Sequence, residues 1–597
     1  SRYEPFDLTD IQNAYWVGRQ GAFDMGVVSA HCYFELAFDV LDLMRLEQAL
    51  RRLIEHHDML RMVVLPTGQQ VVLESVPPFT IALEDLLGAT AQEAEAHLQK
   101  VRAELSHQVL PADRFPLFDI RATRMPTGQV HLHISLDLLV ADAFSFQLLI
   151  EQCATLYRDP QARLPVVRST FRDYCLAATR RRASDKAHQA SLAYWRERVR
   201  TMAGPPELPL SGETEVHGTR RFVRRKSGLD RAAWRAFLAH AKAADVTPSM
   251  ALCAAYGEVL RAYGRQDKLT LNLTLFNRLP IIEDVEQIVG DFTSGILLEV
   301  DCSRRESFAE RARRVQGQFF EDLEHLSVSS VQVLREAART GRWDAHTPMP
   351  YVFTSLVSGT GRSMRVPEGV RIAELITQTP QVWLDYQVFE LNDELYFSWD
   401  YVEALFPPGL LDAIFESYQL LLRRLAEDAS AWLAPARQPL PPAQQARREA
   451  FNATERPVSS ERLEALFLRR AAARPEALAV LTRDRALTYG ELERRSSRIA
   501  AWLLSRGASP GRLVAIVAEK GPEQVISALA ILRAGAAYLP LDPALPSERL
   551  QELLQEAQVE LVLTQSHLDA SLSWPKGPTR LAVDLDERLG ATWSAPA

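Results

Sequence analysis

The stretch Ile134-Ser-Leu-Asp137-Leu-Leu-Val-Ala-Asp142-Ala-Phe-Ser145 is where one periodicity gives way to another. Ahead of the turn, Val130, Leu132, Ile134 and Leu136 alternate with His131, His133, Ser135 and Asp137. That is the period-two pattern of a strand with one face on a core. After it, Ala143 to Tyr157 is rich in Phe, Leu and Ile without turn residues, which predicts a helix. Two carboxylates five apart therefore bracket a strand-to-helix turn, and Ser145 falls in the first helical turn, where backbone donors are free. Taken alone, such a pair reads as a helix cap plus a solvated Asp.

The same alternation recurs downstream. Leu269, Leu271, Leu273 and Leu275 give one strand, Val352, Thr354 and Leu356 another, and Leu395, Phe397 and Trp399 a third. Helix-like segments separate them, so the fold class is mixed α/β. Two proline-rich breaks, Gly204 to Pro209 and Gln438 to Gln445, punctuate the 597 residues. They divide the chain into 1–178, 179–436, a linker at 437–450, and 451–597.

Composition excludes several classes. A net charge of −8 without a Lys/Arg cluster among aromatics argues against a nucleic-acid partner. No apolar run is long enough to span a bilayer, and the first residues have no signal-peptide pattern. Cys32, Cys153, Cys175, Cys253 and Cys302 are scattered, so reduced buried thiols in a cytoplasmic protein are expected, and no metal site.

The string Asp137 to Ser145 resembles the DxxxxDxxS motif of nonribosomal peptide synthetase heterocyclization domains, a branch of the condensation-domain family. Ordinary condensation domains carry HHxxxDG there; here Asp137 and Leu138 stand at the two His positions. Phe6 to Arg19 is similar to the branch's opening FPLTxxQxAYxxGR, departing at Asp7. His57-Asp-Met-Leu60 with Gly68-Gln-Gln70 resembles the second motif, and Gly290-Asp291-Phe292-Thr293 the GDFT motif. Pro350 to Leu356 resembles PVVFTSxL, and Thr377 to Asp385 matches TQTPQVxxD, closed by Trp399-Asp400.

The resemblance implies two chloramphenicol-acetyltransferase-like lobes in a V shape with a central tunnel. Upstream donor and downstream acceptor peptidyl carrier proteins would present substrates there on 4′-phosphopantetheine arms, with no soluble cofactor bound. The implied reaction forms an amide with carrier-bound Cys, Ser or Thr, then closes it to a thiazoline or oxazoline with loss of water. That second step needs a positioned proton donor and acceptor in a water-poor site. Asp385 is the expected proton carrier, with Thr354 orienting it or the departing oxygen. Asn277 and Gln381 are expected to hold the substrate amide. Alternation puts Thr354 and Ser355 on opposite faces, so one of them reaches the tunnel, and the resemblance favours Thr354. Asp137, Asp142 and Ser145 belong to the site as structural parts, Asp142 pairing with Arg278. Gln12, Tyr15 and Arg19 read as fasteners of the first strand or helix, and His57, His131 and His133 as hydrogen-bonded structural histidines. A catalyst of condensation alone and a carrier-docking scaffold are the alternatives.

From Asn452 the chain resembles the start of an adenylation domain, in Leu487 to Leu492 and Leu532 to Pro543. No glycine-rich loop ending in Pro-Lys-Gly follows; Pro575-Lys576-Gly577 comes after Ser-Leu-Ser-Trp. This part is expected to be the N-terminal fragment of an adenylation domain, inactive without the remainder of that domain in the natural chain.

Overall fold

The computed structural model describes residues 1–21, 27–184, 186–211, 221–341, 343, 349–357, 364–435 and 440–588. Ser1–Phe451 forms one compact unit, and a second begins at Asn452.

In the first unit, helix α1 (Asp10–Gly18) precedes strand β1 (His31–Phe38), helix α2 (Leu43–His56), strand β2 (Ala82–Asp85), helix α3 (Ala91–Leu105), strands β3 (Phe118–Arg124) and β4 (Val130–Asp137), and helix α4 (Ala143–Arg158). Then follow β5 (Phe222–Leu229), α5 (Pro248–Tyr263), β6 (Lys268–Phe276), β7 (Thr293–Asp301), β8 (Tyr351–Ser355), β9 (Val370–Gln378), β10 (Leu384–Leu391), β11 (Glu394–Val402) and α6 (Leu410–Glu427). The Arg/Ala-rich stretch between the two lobes is two helices, Phe171–Ser184 and Lys186–Thr201.

Two sheets result. The first has order β9-β1-β4-β3-β2 and the second β7-β6-β8-β10-β11-β5. Each has its own hydrophobic core. In the second, Leu269, Leu271 and Leu273 are buried on one face of β6, as their alternation requires. Tyr256 of α5 packs edge-on against Tyr386 and Trp399, and Tyr418 of α6 closes the aromatic cluster.

Two segments cross between the lobes. Strand β9 pairs antiparallel with β1, Gln378 opposite His31, and so belongs to the first sheet although it lies far along the chain. The loop after β6 puts Val285, Ile288, Val289 and Phe292 into the first core. A division at 178 therefore leaves two pieces of the later segment in the earlier lobe.

Of the expected linker, residues 437–439 lie outside the described residues, and Pro442–Asn452 is a helix. Ala, Gln, Arg and Glu are strong helix formers, and proline is tolerated in a first turn.

The second unit contains strands β12 (Leu513–Val517), β13 (Ala537–Leu541), β14 (Leu561–Thr564) and β15 (Thr579–Ala582) in a parallel sheet ordered β13-β12-β14-β15. The helix before β13 ends at Arg533, and Gly535 takes φ 76°, the left-handed conformation that closes a helix.

Candidate active site

At the end of β4, Asp142 caps α4, its Oδ1 accepting from the Ser145 amide at 2.7 Å. The same oxygen pairs with Arg278 Nη2 at 3.2 Å, and Oδ2 accepts from the Phe292 amide. Ser145 does not satisfy its own helix; its hydroxyl donates to Gly290 O at 2.8 Å and accepts from Arg278 and the Gly290 amide. A hydroxyl on the buried side of a first turn meets the crossing loop before it meets free helix donors. Arg278 also donates to the Val285 and Ile288 carbonyls and lies over the rings of Phe144 and Phe292. This corner fastens the crossing loop to α4.

Asp137 is not solvated: it is 1% exposed and forms an ion pair with Arg19, at the end of α1. Its Oδ1 caps the turn through the Leu139 amide, and Gln12 donates to Leu139 O at 2.7 Å. Gln12 and Arg19 thus hold α1 against the end of β4. His57 bonds Gln152 at 2.7 Å; His133 bonds Tyr33 and Thr123; His131 bonds Glu35. All three are hydrogen-bonded to side chains of their own lobe.

Asp385 stands at the start of β10. Alternation sends Leu384 and Tyr386 into the core beneath α5 and α6, and turns Asp385 and Gln387 to the opposite face. Its Oδ2 accepts from Gln387 Nε2 at 2.7 Å and lies 3.3 Å from Thr377 Oγ1, while Oδ1 is buried without a partner among the described residues. Beside it, Asp400 binds Arg224 through both oxygens, at 2.6 and 2.5 Å, and receives the Thr377 amide and hydroxyl. Burial, reinforced by the Asp400 charge, pushes the Asp385 carboxyl up to about 6, against the Gln387 bond, Arg224 and Thr377.

Thr354 shares that face but does not orient Asp385. Parallel pairing sets Val352 opposite Asp385 and Thr354 opposite Gln387 on one side and Thr274 on the other. The Thr354 hydroxyl bonds Thr274 Oγ1 at 2.9 Å. Ser355 points to the helix side, bonded to Ser249 at the start of α5 at 2.8 Å, so it cannot position a substrate on the Asp385 face. Asn277 follows β6, its backbone held by the Phe292 carbonyl and the Tyr174 hydroxyl. Gln381 adopts φ 62° in the turn ahead of β10.

Asp291 is a further buried carboxyl, 1% exposed. Its Oδ1 accepts from the Thr293 amide, and Oδ2 has no partner among the described residues. Burial and the neighbouring Asp142 and Asp137 charges push it up to about 8, despite the Thr293 bond. Among the described residues no cluster of three or more His, Cys, Asp or Glu is fit to hold a metal, and no helix is long and apolar enough to cross a membrane. A cavity of about 580 Å³ lies against His56, Arg163 and Val289; none of Asp385, Thr354, Asn277 and Gln381 lines it.

Residues 5–440 match the condensation-domain family model, and residues 467–592 match that of AMP-binding enzymes. The chain belongs to the condensation-domain family. Phenyloxazoline synthase MbtB of Mycolicibacterium paratuberculosis is 37% identical over 96% of this chain and 49% of its own length. Pyochelin synthetase PchF of Pseudomonas aeruginosa is 35% identical over 96% of this chain and 32% of its own. The chain thus spans half or less of these curated relatives. Among solved structures, the nonribosomal peptide synthetase FmoA3 superposes with TM-score 0.86 at 34% identity, over 100% of this chain and 61% of that one. The EpoB cyclization-docking bidomain of Sorangium cellulosum gives TM-score 0.66 at 37% identity, over 71% and 86%. The two lobes are those of a condensation domain, followed by the N-terminal part of an AMP-binding domain.

Sequence reading of this condensation domain missed Gln387, Arg224 and Thr274 around the candidate site. The signal for Gln387 was present, two residues beyond Asp385 on one strand face. Arg224 and Thr274 enter only through cross-strand register.

Proposed function

We propose that the condensation domain joins a carrier-bound acyl or peptidyl thioester to carrier-bound Cys, Ser or Thr, then closes the new amide to a thiazoline or oxazoline. The observation that carries this reading is the Asp385 carboxyl. It is 8% exposed, held through one oxygen by the neutral Gln387 amide and unpartnered through the other among the described residues. Attack of an amine on a thioester needs alignment above all, whereas expelling water from a cyclized amide needs proton transfer. The relatives named as a phenyloxazoline synthase and a cyclization-docking bidomain support the same reading.

The step balances through one carboxyl. A group held at about 6 is mostly ionised at neutral pH, so Asp385 first takes the side-chain thiol or hydroxyl proton as that atom attacks the amide carbon. It passes that proton to the former carbonyl oxygen, making a hydroxyl, then takes the proton of the ring nitrogen and hands it to this hydroxyl, which leaves as water as the C=N bond forms. Thr354 lies one residue pair away on the same face to receive the substrate, with Asn277 and Gln381 as further amide contacts. Donor and acceptor carriers bring both substrates on 4′-phosphopantetheine in the cytoplasm. The part from Asn452 on activates no amino acid by itself, for want of a glycine-rich phosphate loop.

Reconstitution of the chain with loaded donor and acceptor carriers tests the reading. Mass spectrometry of the acceptor-bound product should show the amide less one water. Accumulation of the full amide alone would make this a condensation-only catalyst.

A further inference from the structure

Gln387 lies between a guanidinium and a carboxyl, and its own orientation is settled by chemistry. Arg224 Nη2 can only donate, so the Gln387 oxygen must face it, at 3.3 Å. That turns Nε2 toward Asp385 Oδ2 at 2.7 Å and toward the Thr377 hydroxyl. Oδ2 is then occupied by the Gln387 amide, and Oδ1 is the oxygen left for a substrate.

We infer that Gln387 is the positioning residue of Asp385: a neutral amide, fixed by Arg224, that selects the oxygen exchanging the proton and keeps the charged form accessible. The inference rests on the reading of Asp385 as proton carrier.

The arrangement separates charge from hydrogen bonding. Arg224 gives Nε and Nη2 to Asp400, so no hydrogen bond from Arg224 reaches Asp385; its charge acts there through space, and the hydrogen bond comes from the Gln387 amide. An arginine bound directly to Asp385 would hold it ionised and unable to give a proton back. With no donor, burial and Asp400 would hold it protonated and unable to take one. Titratable and charged groups reach it from each packed element: Asp400 from β11 and Arg224 from β5, Tyr15 from α1, and Tyr256 from α5 on the far side of the sheet. Thr377 from β9 adds a neutral hydroxyl.

The test is the pH profile of cyclization in the full chain with loaded carriers, read as the rate of water loss from the bound amide. Gln387→Met keeps the length and removes the donor, so the acid limb should move up by about one pH unit, since a bond to the charged form is lost. Gln387→Glu, nearly isosteric, adds a second carboxylate and should move it further. An unmoved limb in both folded variants, with only a lower rate, overturns the inference and leaves Gln387 as packing. Asp385→Asn in the same assay separates the two readings. Should it still cyclize, Asp385 as proton carrier is wrong. Should it fail to cyclize while the Gln387 variants leave the limb in place, only the role of Gln387 is wrong.

Discussion

Gly18 and Pro380 touch across the two ends of the condensation domain: a Cβ placed on Gly18 would lie 2.3 Å from the Pro380 Cβ. Gly18 closes α1, whose next residue, Arg19, holds Asp137, and Pro380 precedes the strand bearing Asp385. The approach sets the position of the first motif against the sixth. Gly18→Ala should therefore destabilise the first unit by about 1–3 kcal/mol, the usual cost of overpacking. Combined with Pro380→Gly it should lose less than the sum of the two single changes, because the clash is shared. Urea unfolding of the four proteins gives the coupling directly, and strict additivity would mean the contact is not tight.

Asp142→Ala should lower stability by about 3–5 kcal/mol and reduce soluble yield, because Arg278 is left charged and buried. It also removes the cap of α4 and an acceptor for the Phe292 amide. Asp142→Asn retains a capping oxygen and should lose less. A variant as stable as the parent by thermal melt would remove the fastening role of the corner.

The two unpaired carboxyls impose a pH dependence whose sign is opposite to that of a salt-bridged Asp. Asp385 is raised from 3.8 to about 6 and Asp291 from 3.8 to about 8 in the folded chain. The folded state then binds more protons than the unfolded one across those windows, so these groups favour folding at low pH and lose that contribution as pH rises. Asp291→Asn should gain stability relative to the parent progressively between about pH 4 and 8, and Asp385→Asn between about 4 and 6. A difference in unfolding free energy that stays flat with pH would show the carboxyls titrating normally.

Much of this was legible in the sequence, and the exceptions have physical causes. Val130 to Asp137 and Lys268 to Phe276 declare themselves by alternation, because one side of each strand must leave water. Asp142 declares itself as a cap by its place before an apolar helix. The crossing of β9 into the first sheet does not, since pairing Gln378 with His31 is a contact between residues hundreds apart. Thr354 is expected beside Asp385, but register is a property of two strands together and sets Thr354 against Thr274, while Asp385 is bonded by Gln387, two residues along its own strand. Asp291 belongs to the Gly290–Thr293 motif, yet only packing shows that no cation pairs with it among the described residues.

Residues from Asn452 onward carry a parallel sheet but no glycine-rich phosphate loop in the sequence. The 597-residue chain should accordingly show no amino-acid-dependent pyrophosphate exchange above background. Exchange with any of the proteinogenic amino acids would mean that phosphate is bound by other means.

The two chemical steps should separate by mutation. Amide formation brings a free amine to a thioester, and alignment supplies most of its acceleration. Ring closure with loss of water depends on proton transfer, for which positioned groups typically give on the order of a hundred- to ten-thousand-fold. Asp385→Asn keeps the shape and leaves an oxygen for Gln387, but exchanges no proton at neutral pH. It should form the amide and stall there, with uncyclized product accumulating on the acceptor carrier. Thr354→Ala should slow closure less, because Thr354 bonds Thr274 and not the carboxyl. Quenched reactions analysed by mass spectrometry resolve the amide from the ring by one water. A heterocycle made at near the parent rate by Asp385→Asn would remove Asp385 as proton carrier. Equal loss of both steps in a folded Asp385→Asn protein would instead make this residue a holder of substrate, because a pure acid–base role touches only the second step.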